Sequence, residues 1–263
     1  MTSLTEHNSK TGRIVIKVGS SILVENEQVV LERIHDLCKL LADLSNKYEV
    51  ILVSSGAVAA GYTEVPLDKK RPENKHALAS IGQPLLMHTY HEELMRYDLR
   101  CSQLLLGSVD FDSRSRTKSA QDSLNVLLRH NVIPIVNEND ATALPDWVFG
   151  DNDRMAAHVA YFFDADLLVI LSDIEGYYDS NPRENPDAKL LKHVHHIPAE
   201  ALQDEASPNN AFATGGIVTK LKAAQFLLEH ERKMFLTSGF DLSLIREYLL
   251  DGVHNRGTLF TPE

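Results

Sequence analysis

Two polar clusters hold the residue types from which a site for a charged small molecule can be built. The apolar run Ile133-Pro134-Ile135-Val136 breaks into Asn137-Glu138-Asn139-Asp140, and a loop further on reads Gly150-Asp151-Asn152-Asp153. Carboxylates and carboxamides crowded at a strand end and a helix start suit ligand binding better than packing, because a buried polar group without a partner is costly. Asp151, Asn152 and Asp153 fall in the first turn of a helix expected over residues 150–165, where free N–H groups and the helix dipole favour acidic and capping residues. Lys17 is the odd residue in the strand Arg13-Ile14-Val15-Ile16-Lys17-Val18. Its ammonium either snorkels to water from the strand end or meets an anion such as a phosphate. Lys220 and Lys222 are placed in the first turn of a helix that follows Thr214-Gly215-Gly216, where a cation opposes the dipole and needs a local reason. A helix N-terminus that also presents a lysine makes an anion site. Lys222 has the weaker case and is expected to be solvated.

These residues need a frame that brings distant parts of the chain together. Apolar strand patterns cover residues 13–18, 49–53, 102–106, 132–136, 166–171 and 233–237, with a short last one at 257–260. Helical patterns lie between them: Val30, Ile34, Leu37, Leu41 and Leu44 recur at alternating four and three, and others run over residues 77–97, 119–130, 150–165 and 217–229, with a shorter start at Ala57. Residues 63–75 read as a polar loop, and residues 175–190, with Asn181-Pro182 and Asn185-Pro186, as a long excursion. Strands alternating with helices predict an α/β fold, a three-layer α/β/α sandwich with a mainly parallel central sheet. Residues 1–12 read as a disordered lead-in and 13–263 as a single domain. In such sheets ligands sit at the carboxyl ends of the strands. Four of those ends are Gly19-Ser20-Ser21, Ser54-Ser55-Gly56, the Asn137–Asp140 cluster and Ser172-Asp173. Small residues there let backbone N–H groups approach phosphate oxygens, although each motif alone is also ordinary loop sequence. No Walker A pattern and no Gly-x-Gly-x-x-Gly follows the first strand, so the P-loop and Rossmann readings lose support.

Bulk composition narrows the classes. In 263 residues, 37 acidic against 26 basic side chains give a net charge of −11, which disfavours a nucleic-acid binder. No apolar run is long enough to span a membrane, and the polar start has no signal-peptide core. The two cysteines, Cys38 and Cys101, read as buried thiols of a reduced, cytoplasmic protein. His193, His195 and His196 lack carboxylate or cysteine partners at ligand spacing and read as surface. Arg114, Arg116 and Lys118 read as a solvated face, with a subunit contact as the other reading, and Trp147 as packing for the loop between the two acidic clusters, with a substrate lid as the other reading. Tyr177 and Tyr178 either flank a nucleotide or simply pack.

The motifs together carry a resemblance. Ile16-Lys17-Val18-Gly19-Ser20-Ser21, Val53-Ser54-Ser55-Gly56-Ala57-Val58-Ala59-Ala60-Gly61, Asn137-Glu138-Asn139-Asp140-Ala141, Gly150-Asp151-Asn152-Asp153, Ser172-Asp173-x-x-Gly176, Thr214-Gly215-Gly216-Ile217-x-Thr219-Lys220 and Gly257-Thr258-Leu259-Phe260 resemble, in order, the amino acid kinase family. The two acidic clusters resemble the members that act on L-glutamate. The departures are Ser54 and Ser172 where the family usually has threonine, Ala213 for glycine and Ile217 for methionine. Ala213 restricts the backbone of a loop expected to lie along the nucleotide.

The resemblance implies ATP-dependent phosphorylation of the γ-carboxylate of L-glutamate to L-glutamyl 5-phosphate, the first step of proline biosynthesis. It implies Lys17 and Lys220 as neutralisers of the transferred phosphoryl group and Asp153 as the carboxylate that positions both. Ser55, Asn137, Asp140 and Asn152 would hold the amino acid, with Asp140 facing its α-ammonium. Lys17, Gly19, Ser20, Gly56, Ser172, Asp173, Thr214, Gly215, Gly216, Ile217 and Lys220 would meet the nucleotide. Mg²⁺ would ride on the nucleotide phosphates, with no direct protein ligand. L-proline as feedback inhibitor, a reductase consuming the product, and a homodimer or homotetramer are further implications. A C-terminal PUA domain, carried by many members, is expected to be absent. The alternatives are a kinase for aspartate or acetylglutamate, and a non-catalytic nucleotide- or proline-binding regulator on the same fold.

Overall fold

Strand β1 (Arg13–Val18) lies between two parallel neighbours, β4 (Glu49–Ser54) and β7 (Leu167–Ser172). Both of its faces are covered, which is why it reads as a continuous apolar run rather than an alternating one. The computed structural model describes residues 10–141, 152–182, 184–203 and 216–263. Among them the main sheet has eight strands in the order β5-β6-β4-β1-β7-β9-β10-β8, adding β5 (Arg100–Leu106), β6 (Val132–Glu138), β8 (His193–Val194), β9 (Lys233–Ser238) and β10 (Thr258–Phe260). The pairings are parallel except β9 with β10.

The sheet separates two apolar clusters. On one face Ile14, Ile16 and Val18 meet helices α2 (Leu31–Ser45), α4 (Pro72–Met95) and α9 (Leu242–Arg246) through Ile34, Leu41, Tyr90 and Ile245. On the other, Val15, Ile170 and Leu236 meet α6 (Arg114–Arg129), α7 (Asn152–Phe162) and α8 (Gly216–Glu229) through Leu124, Met155, Val159 and Leu227. Side chains of β1 alternate between these layers, so Lys17, next but one after Val15, belongs to the α7/α8 side. The three-layer sandwich with a mainly parallel sheet is the expected fold. Among the described residues no helix is long and apolar enough to cross a membrane.

Several elements differ from expectation. Helix α4 starts at Pro72 rather than Ala77, so the polar loop over 63–75 shrinks from both sides: α3 (Ala57–Glu64) enters it and Pro72 closes it. Proline at a first helical position has no N–H to lose. A hairpin of β2 (Val24–Glu25) and β3 (Gln28–Val29) turns through Asn26 and Glu27, both at positive φ (49° and 66°). Such a turn normally advertises itself with glycine, and a glutamate in the second position hides it. The short helix α1 (Ser20–Leu23) lies where the sequence reads as a strand end, and a second short helix, α5 (Ser108–Phe111), follows β5. Cys38 is buried as expected, but Cys101 is only half-buried. Burial raises both thiols above the usual range, which keeps them protonated and unreactive.

Helices α3 and α4 cross at two glycines. A Cβ on Gly82 would lie 1.8 Å from the Ala57 carbonyl oxygen, and one on Gly61 would lie 1.9 Å from that of Leu78. This approach seats the next residue, Gln83, beneath the end of β6, where its amide meets Asn137. Gly82→Ala is expected to lower the free energy of unfolding by about 1–3 kcal/mol, the usual scale for overpacking. Urea unfolding checks this, and a stability equal to that of the parent would contradict the reading of the crossing.

Candidate active site

Asp153, on the second residue of α7, holds two ammonium groups from opposite ends of the chain. Its Oδ1 lies 2.5 Å from Lys17 Nζ and its Oδ2 accepts from Lys220 Nζ at 3.0 Å. All three side chains are buried, at 1%, 4% and 8% exposure for Asp153, Lys17 and Lys220. Thr219 Oγ donates to the same Oδ2 at 3.1 Å. Burial alone would raise the Asp153 carboxyl, but the Lys17 and Lys220 charges and their hydrogen bonds outweigh it and hold it below the ordinary carboxylate range. The cluster carries one net positive charge, which makes it a place for an anion. Helix α8 begins at Gly216, one residue before the expected start at Ile217, so Lys220 stands at its fifth position. Its ammonium curls back to the Gly216 carbonyl oxygen at 2.8 Å. Lys222 is half-buried rather than solvated.

The strand ends gather beside this cluster. A Cβ on Gly19 would stand 3.4 Å from Lys17 Nζ, so the backbone entering α1 runs along that ammonium. Gly56 precedes α3 at φ 110°, a conformation that glycine adopts without strain, and the Ser55 N–H is tied to the Val18 carbonyl at 3.2 Å. Ser172 is buried at the end of β7 with its hydroxyl donating to Asp173 Oδ1 at 3.1 Å, while Asp173 itself is exposed. Gly216 is exposed and Ile217 buried at the start of α8. Thr214 and Gly215, like Ala213, Gly150, Asp151 and Trp147, lie outside the described residues.

A cavity of about 660 Å³ opens where the amino acid would sit. Ser20, Ser55, Gly56, Asn137, Asp140 and Asn152 line it together. Asn152 Nδ2 donates to Ser55 Oγ (2.9 Å), Asn137 Oδ1 (3.0 Å) and the Ser54 carbonyl (3.1 Å), so residues far apart in sequence share one hydrogen-bonded group. Burial raises the half-buried Asp140 carboxyl, and the nearby His76 partly offsets this. Glu138 also lines the cavity.

Three participants escape sequence reasoning. Gln83 binds Asn137 from below. Glu27, on the hairpin turn, and Lys69 form the outer wall, paired at 2.5 Å, with the Lys69 ammonium 4.0 Å from the centre of the Tyr62 ring. A turn without glycine and a lysine in a polar loop give no local sign of facing a cavity. The other flagged residues lead elsewhere. Tyr177 packs against Phe260, and Tyr178 bonds Glu175 through its hydroxyl. His193, His195 and His196 are exposed, as are Arg114, Arg116 and Lys118.

Known proteins resemble this chain over most of its length. Residues 12–238 match the model of the amino acid kinase family. The chain is 59% identical over 248 residues to the glutamate 5-kinase of Leishmania donovani, covering 94% of each chain. It is 54% identical over 253 residues to the glutamate 5-kinase of Wolinella succinogenes, covering 94% of this chain and 97% of that one. Among solved structures it resembles a carbamate kinase from Giardia lamblia at a TM-score of 0.65 and 16% identity, covering 96% of this chain and 99% of that one. That last likeness speaks to the fold alone.

The Asp153 carboxyl is depressed relative to an unfolded chain, so its ion pairs stabilise the fold above about pH 4 and lose that contribution as pH falls through the folded value. Asp153→Asn is expected to cost about 3–5 kcal/mol at neutral pH, because two buried ammoniums lose their counter-ion. The gap between parent and variant should narrow only in the acid range. Chemical unfolding from pH 7 to pH 2 measures it, and a gap that stays constant would contradict the assignment.

Proposed function

The chain belongs to the amino acid kinase family, and we propose that it transfers the γ-phosphoryl group of ATP to the γ-carboxylate of L-glutamate. The product is L-glutamyl 5-phosphate, the entry to proline synthesis. The observation that carries this reading is the juxtaposition of a net-positive buried cluster, Lys17–Asp153–Lys220, with a cavity lined by Asp140, Asn137, Asn152 and Ser55. A cavity with carboxylates in its wall suits an anionic substrate only if the substrate's other end is a cation, as in an α-amino acid.

The chemistry needs no general base, because a carboxylate is already ionised at neutral pH. One γ-carboxylate oxygen bonds the γ-phosphorus while the bond to the β–γ bridging oxygen breaks and ADP leaves. Charge spreads over the equatorial oxygens of the transferring group, so the protein's task is alignment and neutralisation. Lys17 and Lys220 supply two ammoniums, and Asp153 holds both in place. The Gly19–Ser20 backbone, running beside Lys17, and Gly56 offer N–H groups to the phosphates. Ser172, Asp173, Gly216 and Ile217 border the nucleotide, as Thr214 and Gly215 do in the sequence pattern. A cradle with one net positive charge leaves much of a triphosphate unneutralised; Mg²⁺ carried on the phosphates would supply the rest. Asp140 takes the α-ammonium. L-proline shares the α-amino acid head group of glutamate, which supports competition at the same cavity. The acyl phosphate hydrolyses readily, which supports a reductase as the next enzyme to use it.

Hydroxylamine trapping of the acyl phosphate with glutamate, aspartate and N-acetylglutamate tests the reading. Turnover with glutamate is expected, and turnover confined to either of the others would refute it. Asp140→Asn should raise KM for glutamate by about 30- to 150-fold, equivalent to about 2–3 kcal/mol for a lost buried charge pair. Because the Asp140 carboxyl is raised and must be ionised to hold an ammonium, glutamate affinity should fall on acidification from above the ordinary carboxylate range. That limb should flatten in the variant, and a limb unchanged in Asp140→Asn would place the titrating group elsewhere.

A further inference from the structure

The side-chain amides around the cavity form a chain with one direction. Gln83 Nε2 donates to Gln103 Oε1 at 3.0 Å, which leaves Gln83 Oε1 to accept from Asn137 Nδ2 at 2.9 Å. Asn137 Oδ1 then faces the opposite way and accepts from the Glu138 N–H (2.9 Å) and from Asn152 Nδ2 (3.0 Å). Asn152 Nδ2 has further acceptors in Ser55 Oγ and the Ser54 carbonyl. An amide has one donor end and one acceptor end of nearly equal shape, so only its partners decide which end meets a ligand. Here the donor end of Asn152 is spent on protein. Its Oδ1 is the atom left for a ligand, in the same cavity wall as the Asp140 carboxylate. Two acceptors together suit an ammonium group, whereas a turned Asn152 would offer it an N–H.

We propose that Gln83 is a positioning residue for the amino acid substrate, acting through Asn137 to hold the Asn152 amide with its oxygen toward the α-ammonium. The inference rests on the reading of the cavity as an amino acid site. Gln83 does not line the main cavity and comes from α4, 54 residues before Asn137. Asn137 and Gln83 are both buried, at 4% and 8% exposure. Without the Gln83 oxygen the Asn137 NH₂ would be a buried donor lacking this acceptor. The cost of leaving such a donor unpaired exceeds the net gain from a typical hydrogen bond. An Asn137 amide that tilts to find another acceptor for its NH₂ loosens its Oδ1 from the Glu138 N–H and from Asn152 Nδ2, and the Asn152 amide is then held by Ser54 and Ser55 alone.

The test compares three variants of the full chain. Gln83→Met keeps length and removes the acceptor. Gln83→Asn keeps an amide that stops one methylene short of Asn137, and serves if the methionine variant does not fold. Gln83→Glu keeps an oxygen for Asn137, and the exposed Gln103 can turn its own amide to donate to it. Expected is a rise of about 10-fold in KM for glutamate in the methionine and asparagine variants, equal to about 1.4 kcal/mol. KM for ATP and kcat should stay within about 2-fold, and the glutamate variant should remain near the parent. An unchanged glutamate KM in the foldable short variants, equal damage from Gln83→Glu, or parallel rises in both KM values would overturn the proposal. Glutamate turnover by the parent in the same assay tests the underlying activity separately.

Discussion

A single buried carboxylate shared by two ammoniums is the constraint on which this structure depends. Asp153 ties β1, α7 and α8 together through Lys17 and Lys220, with 1% of its surface exposed. Burying three charges is costly, and their mutual attraction repays that cost only with close geometry. The excess positive charge leaves the group incomplete without an anion. In the proposed reaction the substrate's phosphates would balance that charge, and the same atoms would bind the nucleotide and stabilise charge developing during transfer.

The parallel sheet makes that arrangement possible. Neighbouring parallel strands end at the same edge, so β1, β4, β6 and β7 deliver Gly19, Ser55, Asn137 and Ser172 to one rim from positions spread over much of the chain. The rim has two halves with different chemistry. On one side stand lysines and small residues suited to phosphate; on the other, amides and a half-buried carboxylate suited to an α-amino acid. Asn152 and Asp153, adjacent in sequence, begin α7 between the halves. Asn152 turns to Ser55 and Asn137, and Asp153 to the lysines. In the proposed reaction this would hold the phosphorylated carboxylate and the recognised ammonium at a fixed separation, which suits an acidic amino acid of defined length.

Much of this was legible in the sequence because it was local. Apolar runs ending in Gly19-Ser20, Ser55-Gly56, Asn137 and Ser172 marked the strands and their working ends, and an ammonium inside Ile-Val-Ile-Lys-Val marked Lys17. What stayed hidden depends on contacts with no local trace. Gln83 is one polar residue in a long helix, and only the crossing of α3 and α4 at Gly61 and Gly82 brings it to Asn137. The hairpin turn at Asn26-Glu27 lacks the glycine that would announce it, so Glu27 and Lys69 were missed as cavity walls.

The central claim is that Lys17, Lys220 and Asp153 act as one unit, and a mutant cycle on turnover tests it most directly. The measurement is kcat/KM for acyl phosphate formation with Asp153→Asn introduced into the parent, Lys17→Met and Lys17→Met/Lys220→Met backgrounds. The account predicts a loss of about 100-fold or more in the parent that shrinks in the single lysine variant and vanishes in the double one, as for groups that work jointly. Equal losses in all three backgrounds would show that Asp153 acts independently of the lysines and would contradict the account.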